Sequence, residues 1–297
     1  MLNIFNKYYS SKYNTLKLSK RYNKYTYYFY WAFISLIIHD LSYYLANEIN
    51  LKKPDLVVLG GDLITGKDIN HNGHNNWNKN IYNEQWDKFL LFRDKLNSPL
   101  LAIPGNHDFG GNPETNLLSI ANFKSLNNES ELYFKKIINK TLLLFVHAID
   151  QPNDPIYRID TEQLNWIKST LNKHQPFLDN IIIFVHHRLW DMDSWNVNRP
   201  LNTVQFSTEI EPLLSKWNTS NLFAGDLGLF HNSQLSGTTN CWNASNMLTK
   251  SGYFTIDIKS VSDIDHINIQ LHYIDIGQEK PKSLLTILYQ KFTSRRY

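Results

Sequence analysis

"LLAIPGNHDFGG", residues 100–111, runs from an apolar stretch through Pro104 into Gly105, Asn106, His107 and Asp108, with Gly110 and Gly111 behind them. A strand that ends in an amide, an imidazole and a carboxylate side by side delivers three kinds of polar chemistry to a single turn. Three other apolar runs end in a similar way. "PDLVVLGGD", residues 54–62, closes on Gly61 and Asp62; "NIIIFVHHRLW", residues 180–190, passes through His186 and His187 to Arg188; "NLFAGDLG", residues 221–228, reaches Asp226. In open α/β sheets, ligand sites collect where the carboxyl ends of the strands converge. Clusters distant in the chain can therefore meet at one rim. Mixed imidazole, carboxylate and amide donors of this kind suit divalent manganese, iron or zinc.

Between these runs the chain alternates strand and helix. A helical pattern covers about residues 41–50, and another about 82–96, before the strand 99–103 that enters the opening motif. Beyond residue 130 the apolar runs 131–137 and 141–148 flank "INKT" and read as a hairpin. "TEQLNWIKSTLNKH", residues 161–174, reads as a helix, as does the stretch near 208–217. The runs 252–258 and 267–274 read as closing strands. No repeat or low-complexity linker interrupts this order, which favours a single domain over residues 27–297 after an extension at 1–26.

Composition narrows the chemistry. With 42% hydrophobic residues in 297, the chain can bury a large core. The single cysteine, Cys241, excludes an intramolecular disulfide and a thiolate-built zinc site, and mildly favours a reducing, cytoplasmic compartment. The net charge of +3 hides an asymmetry: residues 1–24 carry Lys7, Lys12, Lys17, Lys20, Arg21 and Lys24 with no acid. Setting those six aside leaves 24 bases against 27 acids, a body of about −3. Such a body argues against a nucleic-acid groove. The basic head shows no apolar period and reads as a loosely ordered extension. "YYFYWAFISLII", residues 27–38, is too short for a membrane helix and suits a buried strand, with a targeting or anchor segment as the alternative. No later run is long enough to span a membrane.

Taken in order, "GGDLITG", "PGNHD" and "FVHHR", each after an apolar strand, resemble the second, third and fourth motifs of the calcineurin-like metallophosphoesterases. "TEQLNWIKSTL" is similar to a Gln-x-x-Trp-Leu helix seen in many members. The resemblance, over about residues 27–275, implies a four-layer αββα sandwich of two mixed sheets with a two-metal centre. Hydrolysis of a phosphomonoester or phosphodiester by a metal-activated hydroxide is the activity it implies. By the same resemblance Asp62 bridges the metals, and Asn106 and His186 bind one of them. His107 protonates the leaving oxygen or stabilises phosphoryl charge, and Asp108 holds His107 in its tautomer.

Two motifs depart from the family pattern. The first, Asp-x-His, aligns with Leu36 and Ile38, neither of which can bind a metal; Asp40 offers an alternative register with His39 at the wrong spacing. The last, Gly-His-x-His, is replaced by Gly225, Asp226, Leu227 and Gly228, where only Asp226 is a donor. One tight metal site and a weak second one follow as an expectation. Asp40 otherwise serves as a helix N-cap. Arg188 is a candidate phosphate clamp, and His74, beside His71 and Trp77 in "NHNGHNNWNKN", a candidate substrate contact. The substrate expected is a small or carbohydrate-linked phosphoester. A catalytically weak member kept for binding or structure, and less favoured a nuclease of the same fold, are the alternatives.

Overall fold

The computed structural model describes residues 24–30, 39–65, 79–109, 113–151, 154–190, 205–225, 231–235, 237–243, 252–262 and 264–273. Two mixed sheets dominate it. The first runs in the order β13-β12-β1-β2-β3. It is built from β1 (Lys24–Tyr30), β2 (Leu56–Leu59), β3 (Leu100–Ala102), β12 (Gly252–Val261) and β13 (Ile264–Tyr273). The second runs β10-β11-β9-β8-β5-β4. Its strands are β4 (Phe134–Ile138), β5 (Thr141–Val146), β8 (Asn180–Val185), β9 (Thr219–Ala224), β10 (His231–Gln234) and β11 (Thr239–Asn243). β1, β2 and β3 are parallel to one another, as are β5, β8, β9 and β11, while β12, β13, β4 and β10 pair antiparallel. A small separate hairpin joins β6 (Ile149–Gln151) to β7 (Asp154–Arg158).

The alternation of side chains along each strand explains the layering. Val57 and Leu59 point away from the second sheet, into a core they share with α1 (His39–Lys52), α2 (Lys79–Arg93) and α3 (Pro113–Asn127) through Leu45, Ile49, Trp86, Phe89 and Phe123. Leu56 and Val58 point the other way, into a core between the sheets. On the second sheet Leu143, Phe145, Ile182 and Phe184 enter that same middle core, and Leu142, Leu144, Ile181 and Ile183 turn outward. The outward set meets α4 (Thr161–His174) and α5 (Glu211–Leu214). A strand apolar on both faces must be covered on both faces. Three apolar layers therefore separate four structural ones, the expected αββα sandwich.

The middle core holds a row of stacked aromatic rings. Phe134, Phe145, Phe184, Phe223 and Trp242, one from each of five neighbouring strands, stack in a row with centroids 4.4, 5.1, 5.6 and 6.2 Å apart. Phe254 of the first sheet meets Phe223 and Trp242 edge-on at 5.5 and 5.8 Å.

Several expectations shift. The first strand is Lys24–Tyr30 rather than 27–38, starting inside the supposed extension; residues 31–38 lie outside the described set. The helix near 208–217 is a π-turn over Phe206–Ile210 leading into the short α5. The helix α3, the hairpin β6–β7 and the strands β10 and β11 were not read from the sequence, because their apolar positions follow neither period cleanly. Among the described residues no helix is long and apolar enough to cross a membrane.

Candidate metal centre

Every group in the centre follows a parallel strand. Asp62 lies three residues past β2, Asn106 and His107 follow β3, and His186 directly follows β8. β2 and β3 belong to one sheet and β8 to the other, so the site forms only where the two sheets face each other.

His186 makes that junction. Its Nδ1 lies 2.8 Å from the carbonyl oxygen of Gly60, which can only accept, so Nδ1 carries a proton and, in the neutral ring, Nε2 carries the lone pair. That lone pair faces Asn106 Oδ1 at 3.1 Å and Asp62 Oδ1 at 3.4 Å, on a side chain with no solvent exposure. With His186 neutral, two oxygens facing an imidazole lone pair repel it unless a cation lies among them; with His186 protonated, its Nε2–H is donated toward these oxygens. Donors bound at about 2.0–2.1 Å sit roughly 2.9–3.4 Å from each other, so the spacing fits a metal ion. A metal-ligating imidazole that donates its other N–H to a backbone carbonyl is the usual arrangement. Among the described residues no three His, Cys, Asp or Glu side chains gather; the set here is one His and one Asp with an amide.

Close packing of the backbone is what allows this approach. A Cβ on Gly105 would stand 2.2 Å from Asp62 Oδ1 and 2.5 Å from His186 Cε1, and one on Gly61 would stand 2.4 Å from His186 Nδ1. Gly61 has φ +97°, where a side chain is strained as well. Asp62 itself adopts φ 55°, an unfavourable conformation that its surroundings hold in place.

Asp108 supplies the hold. Its carboxylate accepts the N–H of Asp62 (2.7 Å), Gly105 (2.7 Å) and Ile64 (3.1 Å), binding the two loops to each other. It is fully buried; that burial and the neighbouring Asp62 charge push its pKa up to about 7. This corrects the expected role, because the ring of His107 takes its hydrogen bond elsewhere. His107 Nδ1 lies 3.2 Å from the carbonyl oxygen of Thr65, which fixes the proton on Nδ1 and leaves Nε2 to act. Thr65 carries no side-chain signal for this role. The N–H of His107 donates to Asp62 Oδ1 at 3.0 Å. Burial raises the pKa of Asp62, but His186 when protonated, through its charge and a hydrogen bond, and His107, through its charge and backbone N–H, outweigh it, so the carboxyl ends below its ordinary value.

Remaining candidates divide. Arg188 is buried, 5% exposed, two residues beyond His186, and not part of the outer surface. Asp40 is the second residue of α1, ten residues past the end of β1, and so neither a strand-end residue nor an N-cap; its side chain lies outside the described set. Asp226, His71, His74, Trp77, Leu36, Ile38 and Gly228 lie outside it entirely. Tyr30 pairs with Leu59, three residues before Asp62, and the three residues after Tyr30 in the sequence are Trp31, Ala32 and Phe33. None of these is a ligand type either, so of the registers considered only the one that uses Asp40 supplies a donor.

One residue escaped the sequence reading. His147 directly follows β5, between the helix layer and the rim, and is 5% exposed. Its ring stacks on Phe109 at 5.2 Å. The side chain of Gln163 grips its backbone twice, accepting its N–H at 2.9 Å and donating to its carbonyl at 2.6 Å. Asp160 caps α4 through the N–H of Gln163 at 2.7 Å, which sets the helix on the strand end. The signal was available: "TLLLFVH" is an apolar run ending in a polar side chain, like the others.

Comparison with known proteins agrees with this fold. A dimetal phosphatase from Danio rerio superposes with TM-score 0.61 at 12% identity, over 82% of this chain and 98% of that one. The anchor in the inner membrane complex of Plasmodium gives TM-score 0.53 at 13% identity, over 90% and 94%. For a putative 5′-nucleotidase from Staphylococcus aureus the score is 0.52 at 10% identity, over 90% of this chain and 58% of that one. At such identities the likeness is one of fold. No curated protein matches by sequence. The family pattern for calcineurin-like phosphoesterases, however, matches residues 26–211, from within β1 through α5's first residue, a span that contains Asp62, Asn106, His107, Asp108 and His186. The chain belongs to the calcineurin-like phosphoesterases.

Proposed function

We propose that this protein is a metal-dependent phosphoesterase that hydrolyses a small phosphomonoester or phosphodiester. The observation that carries the reading is the meeting of His186 Nε2, Asp62 Oδ1 and Asn106 Oδ1 within 3.4 Å. These three hold the metal in this account. When bound, a divalent ion stabilises charge on the phosphoryl oxygens and lowers the pKa of a water. Asp62, its carboxyl kept ionised by its neighbours, holds negative charge at the centre. His107, anchored through Nδ1, presents Nε2 as the atom that gives a proton to the departing oxygen. Asp108 keeps both loops in register and touches neither metal nor substrate. Arg188 and His74 are proposed to contact the phosphoester, and Asp226 to complete the tight site as a fourth donor.

The first motif motivates the second part of the proposal. Neither Leu36 and Ile38 nor Trp31 and Phe33 can bind a metal, so one metal is held tightly and a second at least tenfold more weakly, a gap of about 1.4 kcal/mol. Asp40→Asn then removes the weaker binding event only. Titration of metal-free protein with manganese, with hydrolysis of an aryl phosphate measured alongside, tests the whole reading. Activity rising beyond saturation of the first site is the expected result. Two equally tight metals would overturn the asymmetric centre. Tight metal with no hydrolysis at any loading would instead favour a binding role.

A further inference from the structure

We propose that His147 is a positioning residue for the acid His107, acting through Phe109 and carrying the placement of α4 across to the turn that holds the acid. The inference rests on the assignment of His107 above and goes beyond it, since it names what keeps that side chain in place. His107, Asp108 and Phe109 form one turn of 3₁₀ helix. Asp108 anchors the middle of that turn to the backbone of the first sheet. Its far end is Phe109, whose ring lies at 28° on that of His147, and His147 belongs to the second sheet. The His147 backbone cannot drift, because both of its polar groups are bonded to Gln163, which is itself placed by the Asp160 cap.

The ring is an imidazole held neutral. Its burial, with the nearby His186 charge adding to the effect and Asp160 opposing it, presses its pKa to about 4. Its Nδ1 is enclosed and meets no hydrogen-bond partner among the described residues. The flat face of the ring is stacked on Phe109 of the acid-bearing turn.

The test uses full-length, zinc-loaded protein with labelled histidines, and follows the His107 ring tautomer by nitrogen NMR beside metal content and aryl phosphate kinetics. In wild type the His107 proton sits on Nδ1. With His147→Ala we expect a mixture of tautomers, unchanged metal content, and kcat lowered by about tenfold to a hundredfold with little change in KM, the scale of a small misplacement. His147→Phe, which keeps the stacking face, restores the single tautomer and most of kcat. Phe109→Leu reproduces the alanine effect from the other side, and the double variant His147→Ala with Phe109→Leu loses no more than either alone. An unchanged tautomer in His147→Ala would overturn the proposal, and so would loss of metal, which would make His147 a ligand. If wild type hydrolyses nothing, the catalytic reading fails, while the tautomer measurement still decides whether His147 positions His107.

Discussion

The two ends of the sandwich each carry a buried aspartate that accepts three hydrogen bonds, yet only one of these two aspartates lies beside the proposed metal ligands. At the end away from the metal centre, Asp265 lies between the sheets. Its Oδ2 accepts from the N–H of Lys140 at 2.8 Å and the hydroxyl of Thr141 at 2.7 Å, and its Oδ1 from Ser260. Asn180 donates to its carbonyl at 2.9 Å, so the turn between β12 and β13 is fastened to the starts of β5 and β8. At the other end Asp108 is equally well supplied with donors, but its neighbours are not. Asp62 Oδ1 receives one N–H, then faces a lone pair on His186 and an amide oxygen on Asn106. The difference is a count of donors against acceptors. Where they match, a buried carboxylate is a fastening; where acceptors are in excess, the place is made for a cation.

Substitutions at the two ends should therefore separate activity from stability. The largest effect is expected from Asp62→Asn, which keeps the shape but removes the charge. Metal analysis should show the tight metal gone and hydrolysis should fall to background, while the unfolding midpoint of the metal-free protein barely moves. Asp265→Asn should do the reverse, and retained metal with full activity in that variant is the check on the contrast.

Next in size is His107→Ala, expected to lower kcat about 10²-fold or more with metal content unchanged. A comparable loss of metal in this variant would place His107 among the ligands and remove the division between binding and proton transfer.

Gly105→Ala tests how tightly the rim is built. Its methyl group would fall 2.2 Å from Asp62 Oδ1, so the backbone must move away from the ligands. We expect metal affinity to drop sharply and stability by about 1–3 kcal/mol, the usual range for overpacking. Asp265→Ala should cost about 2–3 kcal/mol in urea unfolding, since it leaves the Lys140 N–H and the Thr141 hydroxyl without their acceptor.

The smallest effect concerns pH. His147 has a folded pKa of about 4, below the ordinary 6.5, so the unfolded chain takes up the proton first. Its effect on stability is absent above about pH 6.5 and becomes a loss as pH falls from there toward 4, reaching at most about 3 kcal/mol. His147→Phe should flatten that part of the stability profile in chemical unfolding at stepped pH. An unchanged profile would mean that the imidazole protonates without cost and is not enclosed as described.

The legibility of this protein varied with the distance over which each feature is decided. Asp62, Asn106, His107 and His186 were readable because each ends an apolar strand, and strand ends of parallel sheets converge. Gln163 could be seen as part of a helix pattern, but not as the clamp on His147, since a side chain bonded to a backbone sixteen residues away leaves no periodic trace. The role of Asp108 was misread for a related reason. Adjacent to His107 in sequence, it points instead at amides of a loop 46 residues earlier. The first strand was placed late, because "YYFYWAFISLII" is apolar throughout and its pairing with β2, ending at Tyr30 and Leu59, is a register that only the neighbouring strand specifies.

By itself, then, the sequence determined which residue types stand at the ends of the strands, and with them the family and the kind of chemistry. Those are local matters, set by apolar runs, by glycines and by the polar residues that follow. Only the tertiary structure decided which lone pairs face one another, which carbonyl fixes each imidazole tautomer, and which buried carboxylate is a fastening instead of a ligand. These depend on angles and on distances of a few ångströms between segments far apart in the chain, where the two sheets close over their shared core.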